Sequence, residues 1–217
     1  MGLIDGISTK ILKSRYTFNK EILEIYYSSI IDYETTNHEA VNIMGVNLRN
    51  EILSVLQAKN INFENFQISA IKNNYKLDDT YLNPIEDLSK FIGSNCDIFI
   101  LDSCLQYTLN PQNFLLSALE ICNNVICIIK NYASFKKRLH FCLNGSYNFL
   151  DIENGCFKSN ILTPFSISDF IKMCDINHIL IKDAFYLNKK GKISNLFGSG
   201  TFGNLYLDEV VFILNKL

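Results

Sequence analysis

Cys96-Asp-Ile-Phe-Ile-Leu-Asp102 is the stretch on which the reading of this chain turns. Ile98 to Leu101 is an unbroken apolar run with no polar residue to mark a wet face, as in a strand covered on both sides of its sheet. Downstream, Asn110 and Pro111 open a helix. A proline in the first turn gives up an amide that lacks a helical partner anyway, and the asparagine side chain can cap. This helix runs to Cys122, Asn123 and Asn124 end it, and Val125 to Ile129 is the next apolar strand. Ala133 to Leu143 has the pattern of a basic amphipathic helix closed by Asn144-Gly145. Ser166, with Asp169 three residues on, predicts a capped helix through Cys174, after which His178 to Tyr186 returns to strand. Such alternation implies an α/β fold, one doubly wound, mostly parallel sheet with right-handed crossovers. Leu205 to Leu214 follows a glycine-containing turn and adds an antiparallel C-terminal hairpin.

Upstream the pattern is less regular. Phe18 to Tyr33 carries Ile22, Leu23, Ile25, Tyr26, Ile30 and Ile31 at spacings that favour a helix, although Ile22 to Tyr27 also suits a short strand. Val41 to Leu48 reads as a strand, Asn50 to Lys59 as a helix with Ile52, Leu53, Val55 and Leu56 facing inward, and a further strand falls near Ile61 to Ile71. No repeat and no Pro/Gly/Ser-rich linker divides the 217 residues, so a single domain over 1–217 is expected, with 1–20 as an N-terminal extension.

Composition removes several function classes. A hydrophobic fraction of 48% with 19% charged residues and only 3 Pro describes a folded globular chain. Lys+Arg of 20 against Asp+Glu of 22 leaves a net charge of -2, which provides no global field for nucleic acid. No apolar stretch approaches the ~20 residues of a membrane-spanning helix, and residues 1–18 lack the apolar core of a secretory signal. The 7 cysteines, unpaired in spacing and set in apolar segments, point to reduced thiols and a cytoplasmic location. They do not cluster with His38, His140 or His178, so no metal site is expected.

Each candidate motif has a plainer explanation. Gly198-Ser-Gly-Thr-Phe-Gly203 has the GxGxxG spacing, but it leads toward a strand and lacks the helix N-terminus that would make a phosphate cradle. The basic stretch Lys130 to His140 fits a solvated helix face. Cys104 reads as a small buried hydrophobe, though it is the thiol to test for reactivity. Asp102, at the carboxyl end of a parallel strand where side chains meet the ligand crevice, is the best single candidate for a site acid.

Asp97-Ile-Phe-Ile-Leu-Asp-Ser-Cys-Leu-Gln106 followed by Asn110-Pro111 resembles the DYVILSxTLQ…NP stretch of the MetW methionine-biosynthesis proteins. The likeness continues through Val125 to Asn131, Arg138 to Gly145, Ile167 to Phe170 with Cys174, Asn195-Leu196 and Val210 to Leu214. It implies a class I S-adenosylmethionine methyltransferase fold, Rossmann-like in outline. The register it suggests upstream sets Ile22 to Ile25 on the family's first strand and Met44 to Leu48 on its second, against the helical periodicity. In that register Tyr26, Ser28 and Ile30 replace the glycines of the cofactor turn, which implies weak or absent S-adenosylmethionine binding. Cofactor-lining positions carried over from the family are Glu24, Asn47, Asn83 and Asp102, with Asn131 and Tyr132 facing an acceptor. The implied role is an accessory or regulatory partner of homoserine O-acyltransferase; an active methyltransferase of unknown acceptor is the alternative.

Overall fold

The computed structural model describes residues 18–36, 41–66, 88, 91–145, 151–153, 156–158, 161–188, 190–197 and 203–216. Its helices and strands, in chain order, are α1 (Lys20–Thr35), β1 (Asn42–Val46), α2 (Asn50–Ala58), β2 (Asn62–Phe66), β3 (Ile98–Asp102), α3 (Pro111–Ile121), β4 (Asn124–Lys130), α4 (Phe135–Asn144), β5 (Asp151–Glu153), β6 (Cys156–Lys158), α5 (Ile167–Ile176), β7 (Ile179–Leu187), β8 (Ile193–Asn195), α6 (Gly203–Tyr206) and β9 (Glu209–Lys216). A 3₁₀ turn over Cys104–Tyr107 links β3 to α3.

Seven strands form one sheet in the order β2-β1-β3-β4-β9-β7-β8. Pairing is parallel from β2 to β4 and antiparallel from β4 through β9 and β7 to β8. The expected α/β sheet with antiparallel C-terminal strands is therefore present. β9 is more than one arm of a hairpin, because it sits between β4 and β7. Its start also differs from expectation, since Leu205 and Tyr206 belong to α6.

The period of two along the central strands separates two cores. Ile98, Ile100, Ile126, Ile128, Val211 and Ile213 meet α1 and α2 on one face, while Phe99, Leu101, Val125, Cys127, Phe212 and Leu214 meet α3 and α5 on the other. Each fully buried side chain of this size contributes about 1.5–3 kcal/mol. Ser166 caps α5 as expected: its Oγ accepts from the Asp169 amide at 3.1 Å, and Asp169 accepts from the Ser166 amide at 2.9 Å. The Ser166 amide, together with the Ser166 hydroxyl that donates to Asp169 Oδ2 at 2.7 Å, holds the Asp169 carboxyl below its usual range.

Two expectations for the N-terminal region are corrected. Ile22 to Ile25 lie on a helix, with Tyr26, Tyr27, Ile30 and Ile31 buried, so the periodicity was the sound signal and the strand register was not. Met44 to Val46 belong to β1, which pairs with both β2 and β3 and so takes the place of the first strand of a doubly wound sheet. The residues beyond Phe66 in the predicted Ile61 to Ile71 strand lie outside the described residues.

Gly45 in β1 is required by packing. A Cβ there would lie 2.5 Å from Cγ and Cδ1 of Leu48, itself only 7% exposed. Gly45→Ala is expected to cost about 1–3 kcal/mol by displacing Leu48 from the core, read as a lowered urea midpoint. An unchanged midpoint would show that Leu48 moves aside freely.

Candidate functional site

A doubly wound sheet opens a crevice where successive connections leave neighbouring strands in opposite directions, outside their carboxyl ends. Here the chain goes from β1 outward to β2, then returns to β3 on the other side of β1, so the crevice lies beyond Val46 and Asp102.

Asn47, Leu48 and Arg49 form the whole turn between β1 and α2. Asn47 takes a left-handed conformation with φ 58°. All three amides point into the protein. Asn47 N donates to Phe66 O at 2.8 Å, Leu48 N to Asn65 Oδ1 at 3.2 Å and Arg49 N to Asp102 Oδ2 at 3.0 Å.

The Arg49 side chain then spans the crevice. Its Nε donates to Asp102 Oδ2 at 2.7 Å and Nη2 to Asp102 Oδ1 at 2.5 Å, the two-pronged geometry that a lysine cannot reproduce. Nη1 donates to Glu209 Oε1 at 3.0 Å and to Tyr27 Oη at 2.6 Å, and Nη2 also reaches Glu209 Oε2 at 3.1 Å. Tyr27 Oη in turn donates to Glu209 Oε1 at 3.0 Å. Every N–H of the guanidinium is thereby engaged. Burial alone would lower the Arg49 pKa, but the Asp102 hydrogen bonds and the Glu209 charge outweigh it and raise it further. The Tyr27 hydroxyl is pushed up by burial and by Glu209.

A second polar group lies beyond β4. Asn131 is fully buried; its Nδ2 donates to Leu207 O at 2.8 Å and its Oδ1 accepts from the Ala133 amide at 3.0 Å, which braces the chain just before β9. The Lys137 ammonium bonds Asn131 O and lies 4.3 Å from the centre of the Tyr132 ring. Gln106, also fully buried, donates through Nε2 to Lys130 O at 2.5 Å.

Over residues 79–214 the sequence matches the family described as Methionine biosynthesis protein MetW. The chain belongs to the MetW family. Among solved structures, the fold is similar to a SAM dependent methyltransferase from Archaeoglobus fulgidus, with 11% identity and a TM-score of 0.56, covering 96% of this chain and 99% of that one. An S-adenosylmethionine-dependent methyltransferase from Clostridium acetobutylicum aligns at 10% identity and TM-score 0.44 over 97% of this chain and 96% of its own. A phosphoethanolamine-type N-methyltransferase from Haemonchus contortus, solved with S-adenosylhomocysteine, aligns at 11% identity and TM-score 0.42 over 90% and 37%. No curated protein matches the sequence at a significant level.

The MetW match includes Asp102 and Glu209 but stops short of α1, β1 and α2, which supply Tyr27 and Arg49. In the MetW resemblance the amino-acid end of S-adenosylmethionine lies against the backbone of the first-strand turn. In this chain the three amides of that turn are bonded internally, and Leu48 packs over Gly45 within the core beneath α1 and α2. Among the described residues no group of three His, Cys, Asp or Glu could hold a metal ion, and no helix is long and apolar enough to cross a membrane.

Of the residues carried over from MetW, Asp102, Asn47, Asn131 and Tyr132 all fall at the carboxyl edge of the sheet, although Asn47 follows the first strand instead of the second. Asp102 is the buried anchor of the Arg49 cluster, combining the crevice position with the bracing role. Glu24 lies on α1 and pairs with Lys20 at 3.4 Å, and Asn83 lies outside the described residues. Cys104 is fully buried, which pushes its thiol up and makes it inert. Gly203 opens the four-residue α6, a helix where a strand was expected; Gly198 to Phe202 lie outside the described residues. Sequence reasoning missed Arg49, Glu209 and Tyr27. The available signal was that arginine occurs only at 15, 49 and 138 in a lysine-rich chain, and a bidentate contact is a reason to keep one.

Proposed function

We propose that this chain is an accessory or regulatory protein of methionine biosynthesis that supports a cytoplasmic homoserine O-acyltransferase and works without S-adenosylmethionine. The observation that carries this reading is the inward use of all three amides in the Asn47–Arg49 turn, which takes these backbone donors away from a cofactor's polar end. A protein that acts by holding a partner needs a complementary surface and a stable scaffold, but not that turn.

The test has two parts. Titration calorimetry with S-adenosylmethionine and S-adenosylhomocysteine, at concentrations that reveal a dissociation constant of about 1 mM, is expected to give no saturable heat. Capture of the full-length protein from its native host is expected to bring down a homoserine O-acyltransferase. Saturable one-to-one cofactor binding would favour an active methyltransferase, with Asp102 and Asn47 beside the cofactor and Asn131 and Tyr132 toward the acceptor. Absence of the acyltransferase from the captured material would overturn the accessory role.

A further inference from the structure

We propose that Arg49 is a resident ligand: its guanidinium fills a receptor for an organic cation that Asp102, Glu209 and Tyr27 build at the mouth of the crevice. The inference rests on the reading that the chain works without S-adenosylmethionine, and adds which group sits between the acids of the crevice and what could replace it.

The receptor is assembled from three separate parts of the chain. Asp102 ends β3 with its side chain 4% exposed, Glu209 opens β9, and Tyr27 comes from α1. The two carboxylates converge on one cation from different strands, and the Tyr27 ring centre lies 5.3 Å from the guanidinium carbon, within range of a cation–π contact. Without the guanidinium, two acids and an aromatic face would surround the same small volume, which is the chemistry that recognises alkylguanidinium or alkylammonium groups. A planar fork with five donors satisfies the acids and the phenol together, whereas a single ammonium offers three.

The experiment uses the full chain with Arg49→Ala and ethylguanidinium as the probe, followed by thermal unfolding. The variant is expected to melt below wild type, and a tenfold excess of ethylguanidinium over its dissociation constant to raise the variant's Tm by roughly 3–6 °C while leaving wild type unmoved. Equal response of variant and wild type, or none in either, overturns the proposal. Should Arg49→Ala fail to fold, Arg49→Lys decides: it retains the charge without the fork and is expected to melt clearly below wild type, and a Tm equal to wild type overturns the proposal. Wild-type binding of S-adenosylmethionine would sink the accessory reading, whereas failed rescue of the variant sinks this one, so the two failures are distinct.

Discussion

Asp102→Ala is expected to lower stability by about 3–5 kcal/mol, the range for removing one member of a buried ion pair. The substitution does two kinds of damage. It strips the Arg49 guanidinium of its two shortest carboxylate bonds, and it leaves the Arg49 amide, bonded at 3.0 Å to Asp102 Oδ2, without its acceptor. Glu209 is then the one acid of the cluster left to balance the cation, with a side chain 26% exposed and partly screened. At roughly 2–4 °C per kcal/mol for a chain of this size, Tm falls by about 6–20 °C. Replacing Arg49 and Asp102 together by Met and Leu is expected to recover much of that loss, because the cation goes with its buried acid and the carboxylate that remains, Glu209, has a side chain 26% exposed to water. A double variant no more stable than Asp102→Ala would mean that the cluster holds the turn by something other than charge balance.

Phe212→Ala is expected to cost about 3–5 kcal/mol. Phe212 is fully buried in β9, and its ring centre lies 4.7 Å from that of Phe170 on α5, at a tilt of 44°. Truncation leaves a void between the sheet and α5 that neither β4 nor β7 can close, since both are hydrogen-bonded to β9 itself. The check is a urea titration: the midpoint should fall while the slope stays constant, and a loss under about 1 kcal/mol would show that α5 collapses into the space.

The C-terminal half of the fold was legible because its signals are local. Pro111 with Asn110, Gly145 at φ 64° and the Ser166–Asp169 box each mark a helix end within four residues of sequence, and the structure shows all three. The N-terminal helix is also legible from its periodicity, which follows the apolar residues that α1 buries; the family register conflicts with it because that register carries no information on which face is buried. The centre of the site could be read only in part. Asp102 announces itself at the end of an apolar strand, but Arg49 meets it across 53 residues and meets Glu209 across 160, and no local pattern encodes which acid an arginine will reach. Glu209 looks like an ordinary charge at a strand start until the sheet order brings it beside β4.

That order also governs when the molecule can come into being. β9 is the seam of the sheet: through its residues β4 on one side and β7 on the other gain their second neighbour. During synthesis, which proceeds from the N-terminus, the parallel strands and the β7–β8 ribbon must wait as two unjoined pieces with apolar edges bare until residues 209–216 leave the ribosome. The same late strand delivers Glu209, so the ring of contacts around Arg49 closes in the step that joins the sheet, and a chain cut before residue 209 would lose the seam and the crevice lock together.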